Sequence, residues 1–166
     1  MDTFTKALFG EKSNQIPKEL DWFAPLIGDW DFDYHDGYGT DSMRVVKGEW
    51  LFRRVLNGTG IEDIFICPSR ETMDTNPQPD GEYGVALRMF NAACKCYDMV
   101  YACKQKMSYL RFKQEDNKLV GTMLDKPSEK WVFSKIEENT FHWQNVTVLA
   151  SGEWRTNSDV YAWRRK

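Results

Sequence analysis

The residues of this chain that could do chemistry are a few charged side chains placed among apolar, strand-like segments. Arg54 shares a strand face with Trp50 and Phe52, because alternate residues of a strand point to the same side. A buried arginine must pair with a carboxylate or meet an anionic ligand. Asp63 follows across the turn at 57–60, where its register could place it opposite an arginine of the preceding strand. Two interpretations are open: a structural ion pair, or an arginine that binds the carboxylate of a ligand.

Arg88 presents the same choice, since it shares a face with Ala86 and Phe90. Small-molecule pockets combine aromatic rings with a few polar groups, and this rule selects seven candidate ligand-binding residues: Trp50, Arg54, Asp63, Arg88, Tyr97, Tyr101 and Trp143. His142 lies between two aromatic residues that take one strand face, so we expect the histidine to point outward with Gln144. The sequence contains no nucleophile elbow, phosphate loop, metal-ligand pair or paired-carboxylate signature. We therefore assign no catalytic residue and no metal ligand.

The elements that must position these residues are strands. Residues 26–34 pass from a short apolar run through Gly28 into strict alternation, with Trp30, Phe32 and Tyr34 on one face and three aspartates on the other. Similar segments of 7–12 residues follow, separated by short turn-forming connections. The predicted strands are 30–35, 42–56 (with a kink at Gly48 or a break into two), 61–67, 83–90, 96–104, 106–114, 118–124, 130–136, 140–149 and 153–164.

This pattern predicts an all-β fold, an antiparallel up-and-down β-barrel of about 8–10 strands, because closure removes the exposed edges of so long a meander. A helical apolar stripe after Pro17 predicts a short N-terminal helix that plugs one end of the barrel. We divide the chain into an N-terminal arm and helix at 1–25 and a single barrel domain at 26–166. The segment 68–82 lacks periodicity and is interpreted as a lid, a binding loop or a disordered loop.

The motif Gly28-Asp29-Trp30, placed after a short helix at the start of the first strand, resembles the G-x-W signature of lipocalins and related calycins. In that superfamily the tryptophan closes one end of the barrel and a basic residue near the last strand packs across its ring. The resemblance therefore implies a structural role in barrel closure for Gly28, Trp30 and Arg164. Together with the segments 48–63 and 84–90, the motif also resembles lipocalin-like bacterial proteins of the DUF1579 type.

Haem-binding calycins of the nitrobindin type have a glycine-rich first strand and a late proximal histidine. Aspartates replace those glycines here, so we expect no haem and no other cofactor. The net charge of −3 gives no strong field for nucleic acid or an anionic membrane. Because no signal peptide and no long apolar run precede the strands, we expect a cytoplasmic protein that does not bind membranes. Its four cysteines (Cys67, Cys94, Cys96 and Cys103) are then expected to remain thiols.

The sequence favours a non-enzymatic barrel that binds a small apolar or aromatic molecule, with or without a carboxylate. A first alternative is a barrel-cavity lyase or isomerase that acts on a small aromatic acid through a tyrosine, an arginine and a carboxylate. A second alternative is a packed barrel that acts as a dimerisation module, which the apolar residues on both faces of the 61–67 and 97–103 strands favour. Each alternative predicts a different partner: a small molecule, a substrate that is converted, or a second copy in a homodimer.

Overall fold

The structure, a computed structural model, describes residues 1–9, 16–104 and 106–166. Ten antiparallel strands pair with their neighbours in chain order, and the first strand pairs with the last, which closes the barrel. The predicted fold class is confirmed. The strands are β1 (Gly28–Asp36), β2 (Arg44–Val55), β3 (Gly60–Cys67), β4 (Glu82–Asn91), β5 (Cys96–Cys103), β6 (Lys106–Glu115), β7 (Lys118–Met123), β8 (Glu129–Ser134), β9 (Thr140–Val148) and β10 (Trp154–Arg164).

The alternation of β1 sets the inside and the outside of the barrel. Trp30 and Phe32 are fully buried in the core, while the intervening aspartates face outward. Gly48 lies directly opposite Phe32 on β2. A Cβ atom at Gly48 would overlap with the Phe32 ring and would lie 2.8 Å from the Ile66 carbonyl oxygen. The glycine therefore makes room for a ring, and β2 continues through it as one strand without a break.

One end of the barrel, here called the closed end, is filled by the N-terminal segment. A short helix, α1 (Thr3–Phe9), lies on the surface. The helix predicted after Pro17 is replaced by two single 3-10 turns at 18–20 and 24–26, the second of which contains Pro25. A proline in a helix interior removes a backbone hydrogen bond, so two short turns satisfy this segment better than one regular helix. The expected plug is nevertheless present, because Phe23 and Leu26 are completely buried.

Trp30 and Arg164 make the contact that the resemblance implies at this end. The Cζ atom of Arg164 lies 4.2 Å from the centroid of the Trp30 ring, within cation–π range. The guanidinium also donates to the carbonyl oxygens of Pro25, Ile27 and Glu138 at 2.8–2.9 Å. One side chain of β10 thus fastens the segment before β1 and the turn before β9 across the end of the barrel.

The cysteines differ from the expectation. Cys94 and Cys96 form a disulfide at the turn between β4 and β5, where their Cα atoms are 5.3 Å apart. The prediction of four thiols is wrong for this pair. The expectation followed from the predicted compartment and did not anticipate the local geometry, in which Lys95 adopts a positive φ of 51° and brings Cys94 back towards Cys96. Cys67 and Cys103 are free and buried.

Within the described parts of the chain, every helix is too short or too polar to cross a bilayer.

Candidate ligand-binding site

A cavity opens at the other end of the barrel, here called the open end, where β1, β3 and β5 finish and β2, β4 and β6 begin. Its volume is about 130 Å³. The lining residues come from most of the strands and from the loop between β3 and β4: Tyr34, Arg44, Val46, Trp50, Asp63, Phe65, Cys67, Gln78, Asp80, Gly81, Glu82, Ala86, Arg88, Tyr101, Lys106, Trp131, Trp143, Asn145 and Ser158.

Aromatic rings form much of the cavity wall. Trp143 is packed between two other tryptophans, with its ring centroid 5.9 Å from that of Trp50 and 6.0 Å from that of Trp131. Tyr101 meets Trp131 edge to face at 5.4 Å, and Phe65 meets Trp50 in the same way at 5.0 Å. These separations are typical of favourable aromatic pairs. The wall is therefore already packed, and it offers ring faces and edges to a small ligand.

Asp63 and Arg88 form an ion pair on neighbouring strands at the inner part of the cavity. Their side chains are only 1% and 2% exposed. The second oxygen of Asp63 accepts a hydrogen bond from the Trp50 indole nitrogen at 2.7 Å. The Arg88 guanidinium is also surrounded by ring faces, with its Cζ atom 4.9 Å from the centroid of Phe23. The pair is thus fully desolvated and is stabilised by a hydrogen bond and by cation–π contacts.

Arg44 holds together the mouth of the cavity. Its guanidinium donates to both carboxylate oxygens of Asp36 at the end of β1. It also donates to Gln78 and Asp80, which belong to the loop at 68–82. The loop was interpreted from the sequence as a lid, a binding loop or a disordered loop. The structure shows an ordered segment that contributes to the cavity lining, which agrees best with a binding loop.

Tyr101 and Glu82 form a second polar pair near the mouth. The Tyr101 hydroxyl donates to the Glu82 carboxylate at 2.7 Å. Burial, and then the negative charge of Glu82, raise the pKa of Tyr101 far above its ordinary value, so the phenol stays protonated as a donor. Gly84 makes this position available, since a Cβ atom there would overlap with the Tyr101 hydroxyl.

The structure brings together five of the seven residues selected from the sequence. Trp50, Asp63, Arg88, Tyr101 and Trp143 all line the cavity. It places the other two at the closed end: Arg54 pairs with Asp21, and the Tyr97 hydroxyl donates to the Leu20 carbonyl oxygen.

The register of Asp63 also differs from the one considered in the sequence. Asp63 faces Phe52 on β2, whereas Arg54 faces Ile61. The arginine that Asp63 contacts therefore comes from β4, on the other side of β3. Arg88 is therefore the ion-pair partner of Asp63. Arg54 instead pairs with Asp21 in the N-terminal segment that fills the closed end.

Both histidines lie on the outside of the barrel wall. His142 bonds to the Asp159 carboxylate at 2.8 Å and stacks on the Tyr161 ring at 4.6 Å. Tyr38, from the turn between β1 and β2, donates to the same carboxylate. The expected outward orientation of His142 is thus observed, and the Asp159 carboxylate that it contacts also holds the surface turn through Tyr38.

Several lining residues were not selected from the sequence, above all Tyr34, Arg44, Glu82 and Trp131. Tyr34 could have been found, because it shares the face of Trp30 and Phe32. For Arg44 and Glu82 the sequence carries no comparable signal, since they lie at strand ends beside a long loop.

The buried thiol of Cys67, at the cavity wall, makes the stability of the fold depend on pH. Burial raises the pKa of its thiol from 9.0 to about 12. Between these values the unfolded chain loses a proton that the folded chain keeps, so the stability present below pH 9 declines as the pH rises towards 12. For one group that titrates only in the unfolded chain, each pH unit in this range lowers the free energy of unfolding by about 1.4 kcal/mol.

Between pH 8 and pH 11 the free energy of unfolding should fall by about 3 kcal/mol less in the Cys67→Ala variant than in the wild type. Urea unfolding at the two pH values measures this difference. The tyrosines contribute to the decline in both proteins, because burial raises the pKa of Tyr34 to about 12 as well. Equal declines in the two proteins would contradict the assignment to Cys67.

Comparison with known proteins identifies a fold but no family. No family model and no curated protein matches the chain. Among solved structures, the crystal structure of Rv2717c from M. tuberculosis superposes with a TM-score of 0.59 at 11% sequence identity. The match covers 92% of this chain and 100% of that one. At this level of identity the similarity shows that the two chains share a β-barrel fold.

Proposed function

We propose that this barrel binds a small, neutral, apolar or aromatic molecule at its open end. The observation that carries the proposal is the aromatic-lined cavity of about 130 Å³ that reaches the surface at the mouth. An apolar cavity of about 150 Å³ is large enough to hold one benzene molecule. The proposed ligand is accordingly a molecule of about one ring.

The charges in the cavity favour a neutral ligand over a carboxylate. The cationic side chains of the lining are Arg44, Arg88 and Lys106, and the anionic ones are Asp63, Asp80 and Glu82, so the two signs balance. Arg88 is already paired with Asp63, and Arg44 with Asp36 and Asp80, while the third cation, Lys106, is exposed to solvent at the mouth. A ligand carboxylate that took Arg88 would leave a buried aspartate without its cation, which is strongly unfavourable.

Toluene is a suitable probe, with benzoate as its charged counterpart of similar size. At about ten times its dissociation constant, toluene should stabilise the fold by about 1.4 kcal/mol and raise the melting temperature by a few degrees. It should also change the tryptophan fluorescence, because three tryptophans line the cavity. Benzoate at the same concentration should do neither.

A variant that fills the cavity tests the location. Ala86 lines the cavity and is buried, so Ala86→Leu should abolish the response to toluene. Ala93→Leu, in the exposed turn after β4, is the matched control and should respond like the wild type. If toluene changes neither the melting temperature nor the fluorescence of the wild type, the proposal is wrong. Equal binding of benzoate would contradict the preference for a neutral ligand.

The alternative of a lyase or isomerase gains support from one arrangement. Tyr101, hydrogen-bonded to Glu82, lies at the same cavity as the Asp63–Arg88 pair, so a tyrosine, an arginine and carboxylates do surround the space. The tautomerisation of phenylpyruvate, which moves one proton from carbon to oxygen, is a test for this class. If the wild type tautomerises phenylpyruvate faster than buffer does, and the Tyr101→Phe variant does not, the result would favour an enzyme. An unchanged rate supports binding alone.

We also propose kinship with lipocalin-like calycins, including the DUF1579-type proteins. The support is local: Gly28-Asp29-Trp30 opens β1, and Arg164 covers the indole of Trp30 at the closed end.

A further inference from the structure

The outer wall formed by β3, β4, β5 and β6 carries an unusual run of apolar side chains. On β5 the residues Tyr97, Met99, Tyr101 and Cys103 belong to the core, so the alternate residues Val100 and Ala102 point outward. Strand pairing aligns two rows across this wall. One row contains Ile64, Val85, Ala102 and Met107, and the other contains Leu87, Val100 and Tyr109. We call this surface the apolar wall.

Large side chains of the apolar wall are open to solvent. Met107 is 58% exposed, Tyr109 52% and Val85 37%. Tyr83, next to Val85 on the same face of β4, and Leu124, whose amide donates to the Tyr109 carbonyl oxygen, are both more than half exposed. The described residues at the N-terminus do not cover them, since α1 contacts β2 and the turn at 56–58.

The adjoining wall, formed by β10, β1 and β2, is different in character. Its outward residues form ion pairs, among them Arg53–Asp29, Lys47–Asp33 and Arg165–Asp31. Solvated charge is the ordinary covering for the outside of a barrel. This wall also exposes Val45, Tyr161 and Trp163, but its apolar residues alternate with charges, since Trp163 faces Asp31 and Tyr161 faces Asp33. The apolar wall is contiguous by comparison, and large exposed apolar patches mark interaction sites.

The size of the apolar wall suits a protein interface. Strand spacing and rise give a patch of about 20 Å by 20 Å, or ~400 Å². A standard interface buries about 800 Å² on each partner, of which roughly 60% is apolar, so it needs an apolar area of ~480 Å². The apolar wall supplies most of this apolar area, and the polar residues around it would supply the remainder of the ~800 Å².

Charge and shape indicate which partner fits. Both rows are uncharged apart from Glu62 at the β3 end of the second row. The nearest charges along β5 lie at the margin: Asp98, which is paired with Arg111, at one end, and the exposed Lys104 at the other. Two copies that meet face to face along β5 would thus bring like charges together only at this margin, and the centre of the contact would be uncharged. A two-fold axis along β5 would place β4 of one copy over β6 of the other. Val85 would then face Met107, and Leu87 would face Tyr109, so that smaller side chains meet larger ones.

We propose that the apolar wall is the contact surface of a symmetric homodimer, with β5 of each copy at the two-fold axis. In this arrangement the same patch serves both subunits, as in other isologous dimers. The mouths of the two cavities stay open, because the wall lies on the side of the barrel. The dimer is thus independent of the proposed ligand binding.

The first experiment measures mass in solution by light scattering with size separation, at protein concentrations from about 1 to 100 µM, which bracket the affinities of many reversible dimers. The wild type should show twice the monomer mass of 19.5 kDa at the upper end. Met107→Glu should be monomeric, because it buries an unpaired charge in the contact. Val45→Glu is the matched control: Val45 is 57% exposed on β2, outside the apolar wall, and its variant should remain dimeric.

A second experiment tests the axis. Val100→Cys would bring two thiols together across the two-fold axis, so mild oxidation should give a covalent dimer on a non-reducing gel. Val45→Cys should give none under the same conditions. A wild type that stays monomeric at 100 µM, or a dimer that Met107→Glu leaves intact, would overturn the proposal. A dimer that forms without the Val100→Cys cross-link would overturn the axis along β5.

Discussion

Replacing Asp63 with alanine should lower the free energy of unfolding by about 3–5 kcal/mol, the usual cost of removing one partner from a buried ion pair. The side chains of Asp63 and Arg88 are almost completely buried, so water cannot solvate the guanidinium that remains. The same substitution leaves the Trp50 indole N–H without its acceptor. Urea denaturation of the wild type and the variant measures the difference.

The double variant Asp63→Leu/Arg88→Met provides the control. It removes both charges and keeps apolar volume, and such replacements are often neutral or stabilising. We expect it to recover most of the stability lost in Asp63→Ala. If the double variant is less stable than the single one, the loss comes from packing around Asp63 and the unpaired charge is not its cause.

Trp30→Ala should also cost about 3–5 kcal/mol, because the indole is fully buried and a large cavity would replace it. The variant removes in addition the ring under Arg164 and the hydrogen bond from the indole nitrogen to the Leu26 carbonyl oxygen. Trp30 does not line the cavity at the open end. We therefore expect the folded fraction of this variant to bind toluene with the affinity of the wild type.

Trp154→Ala is the matched control for this prediction. Trp154 is 41% exposed at the start of β10, and its removal should change the stability by less than about 1 kcal/mol. Thermal or urea unfolding, followed by toluene titration below the midpoint, separates stability from binding. A loss of affinity in Trp30→Ala that exceeds its loss of folded protein would give Trp30 a role in the ligand site.

The strands and their inner faces were readable from the sequence because burial alternates with period two along a barrel wall. Trp30 and Phe32 on β1, and Trp50 and Phe52 on β2, point inward as the pattern predicts. The position of each inward residue along the barrel axis could not be predicted from the sequence. Arg54 has the same parity as Trp50 but lies at the closed end with Asp21, because the N-terminal segment fills that end.

The pairing of Asp63 with Arg88 was hidden for a related reason. Arg88 lies beside Ile61, one inward position away from Asp63 along the barrel axis. A long guanidinium side chain can span this diagonal, but strand parity alone does not show which of several arginines does so. The disulfide was missed because the thiols were inferred from the predicted compartment, and the turn at Lys95, whose positive φ brings Cys94 close to Cys96, was not anticipated.

The pairing of β1 with β10 has a consequence for how the barrel is made. Trp30 pairs with Arg164, so the seam joins residues from opposite ends of the barrel sequence. Contacts of such long sequence separation form slowly, because the chain entropy of the intervening loop must be lost first. During synthesis the barrel cannot close before β10 has emerged from the ribosome, so the aromatic side chains on the inner faces of β1 to β9 cannot be fully enclosed until then. Arg164, the last residue of β10, can fasten the closed end only after all the other strands have been synthesised.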